Sequence, residues 1–316
     1  MTEQTTSGST WVDLIDPTAD ELDAALEADV RLVETTREML LEGVRDNSDR
    51  RPFLREESTG DGSSYVVGVL LAPSESDDQD DPIEFHEVDV IITPTQMITV
   101  RKTGPRGHTY DCTGTQLFSV RVGDPPGLAL WHLVDDIAEG YLDIIERLDE
   151  RIGDLEDAVE DGQTEHIRLH IARIRRMLLH TRRNVSPLRD ATRNVLDDRV
   201  ELAGQQLFPR DVESRFAQTY DKLLRVTDEL DLARDLLAGV RDYHQAEIAN
   251  EQNAVMKRLT IVASILLLPT FIVGLYGQNL KGAPEFGWAH GYWFSWALII
   301  LTTIGQLAYF KRKRWF

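Results

Sequence analysis

The chain has 316 residues, a formal net charge of -20 and a pI near 4.8, long enough for one or two domains with a real core. Such acidity argues against nucleic acid, whose phosphates select positive surface. The single cysteine, Cys112, leaves no internal disulfide and no cysteine-based metal cluster. The charge is uneven: residues from 252 onward hold seven Lys/Arg against one acid, Glu285, whereas the preceding residues hold 27 basic side chains against 53 acidic ones. An acidic body keeps a chain soluble and also attracts cations, so it does not by itself identify a metal site.

Residues 1–10 read as a disordered N-terminus, without the basic and apolar regions of a signal peptide. The bulk of the chain is therefore expected in the cytoplasm. Residues 11–127 read as a cytoplasmic α/β domain. Within it, 11–17 is a short apolar start, 20–41 an irregular helix, and 65–71 a β-rich run. An acidic loop over 73–82 follows. The runs 83–92 and 96–102, separated by Thr93-Pro94-Thr95, predict a hairpin. A further strand is expected over 117–122, and Asp124-Pro125-Pro126-Gly127 is a break.

Past the break the apolar period changes to three and four residues (Leu130, Val134, Ile137, Tyr141, Ile144, Leu148), which predicts long cytoplasmic helices over 128–210. Gly162 separates the first from an Arg-rich second helix, which Pro187 interrupts or kinks. His166 and His170 stand at i, i+4 there, the spacing of a Zn²⁺ pair, but two ligands are incomplete and plain surface histidines are the expected reading. Residues 211–258 read as a stalk helix that runs without a turn signal into an apolar segment, one helix of roughly 95–100 Å.

Two stretches, 259–276 and 291–310, lack charged residues and are long enough to cross a bilayer. Tyr292, Trp293 and Trp296 at one end of the second, with Tyr309 and Trp315 at the other, fit interfacial belts. Lys257 and Arg258 precede the first span, and the basic tail 311–316 follows the second; the link 277–290 has only Lys281 and Glu285. The positive-inside rule puts both termini in the cytoplasm of a multi-pass plasma-membrane protein, with the link outside. Two helices enclose no polar path, so conduction requires a symmetric ring. The first span carries Ala263, Thr270 and Gly274 in register with Met256, Leu259 and Leu267. That stripe suits a pore, and small residues equally serve helix packing.

The link begins Tyr276-Gly277-Gln278-Asn279 and continues through Pro284-Glu285, Trp288 and Gly291-Tyr292; Met256-Lys257-Arg258-Leu259 stands before it, and the chain closes on Lys311-Arg312-Lys313-Arg314-Trp315-Phe316. This pattern resembles the CorA family of magnesium and divalent-cation transporters, closely over 250–316. It is looser near the N-terminus, where Trp11-Val12-Asp13-Leu14 and the strand pair 88–92 and 97–100 match. Gln278 stands where the family usually has Met, and Ala283 replaces the Met of the following loop. Some family members move zinc, cobalt or nickel, so Gln278 bears on which ion passes. The resemblance implies a funnel-shaped homopentamer: an α/β cytoplasmic domain, a long stalk helix and two C-terminal transmembrane helices. In it the first spans line the pore, Asn279 with Gly277 and Gln278 forms the selectivity filter, and Met256, Leu259 and Leu267 form the gate. It also implies Mg²⁺ as the transported ion and as a regulator bound between cytoplasmic domains.

Asp228, Asp231, Asp235 and Asp242 share one stripe of the stalk. Asp242 falls where family members carry an acidic stalk residue, which makes it the first candidate sensor. A solvated face paired with Arg225, Arg234 and Arg241 is the other reading. The expected partners are further copies of the chain, lipid and divalent ions, with no nucleic acid. The competing functions are zinc or cobalt transport on the same fold, and a membrane-anchored coiled-coil scaffold. No Gly-rich phosphate loop, HExxH or nucleophile–base set points to an enzyme.

Overall fold

Runs rich in Val and Ile build the sheet. The computed structural model describes residues 11–26, 30–44, 50–59, 64–76, 82–112, 120–121, 123–161, 166–202, 206–278 and 288–315. The segment 1–10, most of the strand expected over 117–122, Gly162 and most of the 277–290 link lie outside those residues. Strands β1 (Trp11–Ile15), β2 (Phe53–Ser58), β3 (Ser64–Glu75), β4 (Ile83–Ile92) and β5 (Met97–Arg101) form one sheet in the order β1-β5-β4-β3-β2. β4 and β5 make the expected hairpin, with Ile92 opposite Met97. β3 pairs antiparallel with both β4 and β2. β1 pairs with β5 in parallel. Polar side chains hold that pairing: the Trp11 indole N–H donates to the Thr99 hydroxyl (3.0 Å), Thr99 donates to Asp13 (2.7 Å), and Arg101 grips the Asp13 carboxylate at 2.6 Å.

Helices α1 (Ala19–Ala25) and α2 (Glu34–Leu41) replace the single irregular helix expected over 20–41. The reason is packing. Leu26 and Val33 are extended, and the intervening Val30 and Leu32 pack with them on the core formed by Leu22, Leu40, Tyr65, Val67, Ile98 and Val100. One continuous helix would spread those side chains around its axis. Strand β2 has no counterpart in the expected elements, because its FLREES sequence buries only Leu54. β3 also runs three residues into the expected acidic loop, through Pro73, Ser74 and Glu75.

The other sheet face, with Val66, Leu70, Val88 and Val90, packs on α3 (Pro126–Glu160) through residues such as Leu133, Ile137 and Tyr141. The Tyr141 hydroxyl donates to the Leu71 carbonyl at 2.8 Å, so this buried phenol is satisfied on the sheet itself. Helix α4 (Ile167–Leu196) follows and carries Pro187 in its interior without ending there; buried Val185 and Leu188 hold that turn in the core. His166 precedes α4 in a left-handed conformation, and both it and His170 are exposed. Helix α5 (Arg210–Gly277) is the expected continuous stalk and span, and α6 (Gly291–Arg312) is the second span. Near its start α5 is tied to α3: Lys222 pairs with Asp135 (2.9 Å) and Glu139, and Trp131 donates to the Thr219 hydroxyl at 3.1 Å.

The chain divides into two compact units, Met1–Val240 and Arg241–Phe316, and α5 contributes to both. In the second unit α5 buries Ile261 and Ile272 and α6 buries Phe310, while most other apolar side chains there are uncovered. A polar bond joins the two helices: the Gln306 side-chain amide donates to the Ser264 carbonyl at 3.2 Å, and the Gln306 carbonyl oxygen is buried without a hydrogen-bond partner among the described residues.

This packing makes two stability predictions. A Cβ on Gly68 would run into the Leu54 side chain and lie 2.7 Å from the Phe53 carbonyl. Gly68→Ala should therefore cost about 1–3 kcal/mol of overpacking, read as a lowered unfolding midpoint in detergent. Gln306→Leu should be near neutral, because loss of a bond worth about 0.6 kcal/mol is offset by removal of an unpartnered carbonyl. A large loss in the same assay would mean that a second polypeptide completes Gln306.

Candidate functional site

An α-helix turns through about 100° per residue, so steps of three and four residues keep side chains on one face. Ile261, Ile265, Leu268 and Ile272 of α5 follow such steps and are buried or half-buried positions of the span. Met256, Leu259, Ala263, Leu267, Thr270 and Gly274 follow them too, but roughly half a turn away, and all six are exposed. Leu267 reaches 74% exposure. The expected stripe is therefore a real face of α5 on the side away from α6. Among the described residues, nothing lies within 4 Å of a Cβ placed on Gly274 or Gly277.

Two hydroxyls in this region fold back on their own helix. Thr260 donates to the Met256 carbonyl at 2.8 Å, and Thr270 to the Leu266 carbonyl at 2.6 Å. Each hydroxyl proton is thus committed within the helix while the oxygen lone pairs remain free to accept. Pro269, one residue before Thr270, cannot donate to the Ile265 carbonyl, which lacks its usual intrahelical partner. Gln278 follows the last turn of α5, with its backbone N–H 3.4 Å from the Leu275 carbonyl. Asn279 lies outside the described residues, as do Lys281, Ala283, Pro284 and Glu285.

The stalk aspartates sit opposite the buried stripe of Leu230, Ala233, Leu237 and Val240. The arginine partner is the sequence neighbour at Asp242 but a residue of another helix at Asp231. Asp231 pairs with Arg182 of α4, Arg225 instead reaches Glu229 at 2.7 Å, and Arg241 pairs with its neighbour Asp242 at 2.9 Å. Asp228 and Asp235 are exposed, and the Asp242 side chain is 67% exposed. Among the described residues no three His, Cys, Asp or Glu side chains come together as a metal site would require. The aspartates thus share a face without forming a complete ligand set within one chain.

Both helices of the second unit are long and apolar enough to cross a membrane, and only 11% of the α5 window and 6% of the α6 window is buried. A soluble protein rarely exposes contiguous apolar surface on this scale, whereas a bilayer core covers it.

Known proteins bear on these features. The chain is 30% identical over 186 residues to the cobalt/magnesium transport protein CorA of Thermotoga maritima, a stretch that is 59% of this chain and 52% of that protein. It is 25% identical over 189 residues to the cobalt/magnesium transport protein CorA of Methanocaldococcus jannaschii, covering 60% of this chain and 58% of the relative. The matched stretch thus spans little more than half the length of these curated relatives. Its fold is similar to the complete structure of the CorA magnesium transporter from Methanocaldococcus jannaschii, with a TM-score of 0.74 at 21% identity over 97% of this chain and 91% of that one. That fold has the same N-terminal α/β domain, long stalk helix and C-terminal membrane helices. The chain is a membrane protein with two C-terminal transmembrane helices. A family model for CorA-like Mg2+ transporter protein matches residues 6–312, nearly the whole sequence, and the chain belongs to that family.

Proposed function

We propose that this chain is one subunit of a homopentameric divalent-cation channel that carries Mg²⁺ into the cell, with Co²⁺ as a second ion. The observation that carries this reading is the uncovered α5 face of Met256, Leu259, Ala263, Leu267, Thr270 and Gly274, set away from α6. A ring of five such faces makes a path closed to lipid. Its lower part is apolar, with Met256, Leu259 and Leu267 as a constriction that gates by excluding water. Thr270 supplies an oxygen whose own proton is already committed to Leu266, so it accepts hydrogen bonds from the water shell of an entering ion.

Mg²⁺ sheds its water reluctantly and prefers oxygen ligands. A ring of Asn279 side-chain carbonyls, with Gly277 and Gln278 beside it, would hold the hydrated ion without stripping it, and its neutrality lets the ion leave. The two curated relatives are named for cobalt as well as magnesium transport, which favours Co²⁺ as the second ion. The basic flanks of both spans put the N-terminal unit and the tail in the cytoplasm. The reading is of a transporter and not of an enzyme.

Closure by internal Mg²⁺ fits the stalk. Asp228, Asp231, Asp235 and Asp242 do not complete an ion site within one chain, so a regulatory ion would take its remaining ligands from a neighbouring subunit. Asp242 leads because it is largely exposed and its arginine is merely the adjacent Arg241. Loss of the ion leaves repelling carboxylates between subunits and shifts the ring toward the open state.

Mg²⁺ uptake into proteoliposomes loaded with a fluorescent indicator tests the channel. Asn279→Ala should lower uptake by about tenfold or more, the factor that ~1.4 kcal/mol carries, with Co²⁺ competing. Absence of flux for every divalent ion from assembled protein would replace the channel with a membrane-anchored scaffold. In the same liposomes Asp242→Asn should raise the internal Mg²⁺ needed to close the pore several-fold, whereas unchanged closure would remove Asp242 from the sensor.

A further inference from the structure

The sheet face that packs on α1 and α2 holds two carboxyl side chains and an amine that are almost completely buried. Alternation along β4 sends Glu87 and Asp89 to the same side as Ile91, into the layer of Tyr65, Val67, Ile98 and Val100. Lys102, just past β5, joins them. Exposure is 3% for Glu87, 0% for Asp89 and 1% for Lys102.

The cations are shared unequally. Lys102 Nζ donates to Glu87 Oε1 at 2.8 Å and to the Met39 carbonyl at 2.7 Å. Arg50 donates to the same Glu87 Oε1 at 2.7 Å, to the Met39 carbonyl at 3.3 Å, and to Glu42 at 2.6 Å. Asp89 Oδ2 lies 2.7 Å from Lys102 Nζ, close enough to feel its charge but poorly aligned for a hydrogen bond. Among the described residues, both Asp89 oxygens and Glu87 Oε2 are buried without a hydrogen-bond partner. Along the sheet Asp89 sits between Val69 of β3 and Val100 of β5, so no further charge approaches from those strands. Across the layer, α1 presents Leu22 and α2 the Met39 carbonyl, with Glu42 beyond Arg50.

A buried carboxylate whose one cation contact is poorly aligned is costly to keep charged. A proton on Asp89 removes the charge and adds a donor among three oxygens that have none. We propose that Asp89 is a proton-binding site of the α/β domain: it holds a proton in the folded protein, and its loss draws Lys102 from the Met39 carbonyl and loosens α2 on the sheet.

The electrostatics agree. Burial, with the nearby Glu87 charge, pushes the Asp89 carboxyl up to about 7 against the pull of Lys102 and Arg50. An unfolded aspartate titrates near about 4, so between about pH 4 and 7 the folded state binds the extra proton. This group's contribution to stability therefore falls as pH rises through that window and is flat above it.

Infrared spectroscopy of the full chain in detergent tests the site directly, through the carbonyl stretch of a buried protonated carboxyl. The band should be present in mildly acidic buffer, vanish with a midpoint near about pH 7, and be missing in Asp89→Asn. The unfolding temperature of the wild type, relative to Asp89→Asn, should decline over the same pH range. Glu87→Gln removes the like charge and the competitor for both cations, so it should lower the midpoint even if Asp89→Asn does not fold. Absence of the band in the wild type at mildly acidic pH, its persistence in Asp89→Asn, or a midpoint indifferent to Glu87→Gln would overturn the proposal. None of these readouts depends on ion transport.

Discussion

Helix α5 has to satisfy two solvents along one backbone. Its first half follows the rule of water-soluble helices: Phe216, Leu223, Leu230 and Leu237 are buried while Asp228 and Asp235 face outward. Its last turns invert that rule, with Leu259, Leu266, Leu267 and Phe271 exposed. The hydrophobic effect drives the first arrangement and offers nothing between helices in the second, because lipid is as apolar as leucine. What remains for the membrane pair is close packing and a few polar contacts, such as Gln306 to the Ser264 backbone.

The charge distribution follows the same division. Acids crowd the water-facing helices, while the membrane pair is flanked by Lys257-Arg258 and the cationic tail. Inside the span no formal charge appears, and the polar groups there look after themselves. Thr260, Thr270 and Thr302 each donate to a carbonyl of their own helix, which avoids the cost of an unsatisfied hydroxyl in hydrocarbon. A channel read onto this helix must work with accepting oxygens and apolar rings, a combination that suits an ion travelling with its water.

The α/β unit solves a different problem. Its sheet is covered on both faces, so every polar group sent inward must find a partner or forgo its charge. Asp13, gripped by Arg101 and Thr99, is the satisfied case. Glu87 and Asp89 are the strained one, two carboxylates for which Lys102 and Arg50 provide well-aligned bonds to only one oxygen. Removing one member of such a set costs far more than the set contributes as a whole.

Much of this was legible in the residues themselves. The spacing of Leu130, Val134, Ile137 and Tyr141 marked a long amphipathic helix, Thr93-Pro94-Thr95 marked the hairpin, and the uncharged 259–276 and 291–310 segments marked both spans, because periodicity and transfer energy act locally along the chain. The stripe from Met256 to Gly274 was also legible as a periodicity, but not as a free face, since that depends on where α6 packs. Other features were beyond local reasoning. The break between α1 and α2 exists because Leu26, Val30 and Val33 are claimed by a shared core; β2 is a strand because β3 offers it an edge. The pairing of Asp231 with Arg182, and not with a stalk arginine, joins residues 49 positions apart. The Glu87, Asp89, Lys102 and Arg50 cluster likewise exists only once β4, β5 and α2 meet. The sequence by itself determined the class of each long helix, the two membrane spans and the sign of their flanks, because these depend on side-chain solvation taken a few residues at a time. Only the tertiary structure decided which faces stay open and which charges are buried together, because burial and ion pairing depend on neighbours that the chain brings close in space.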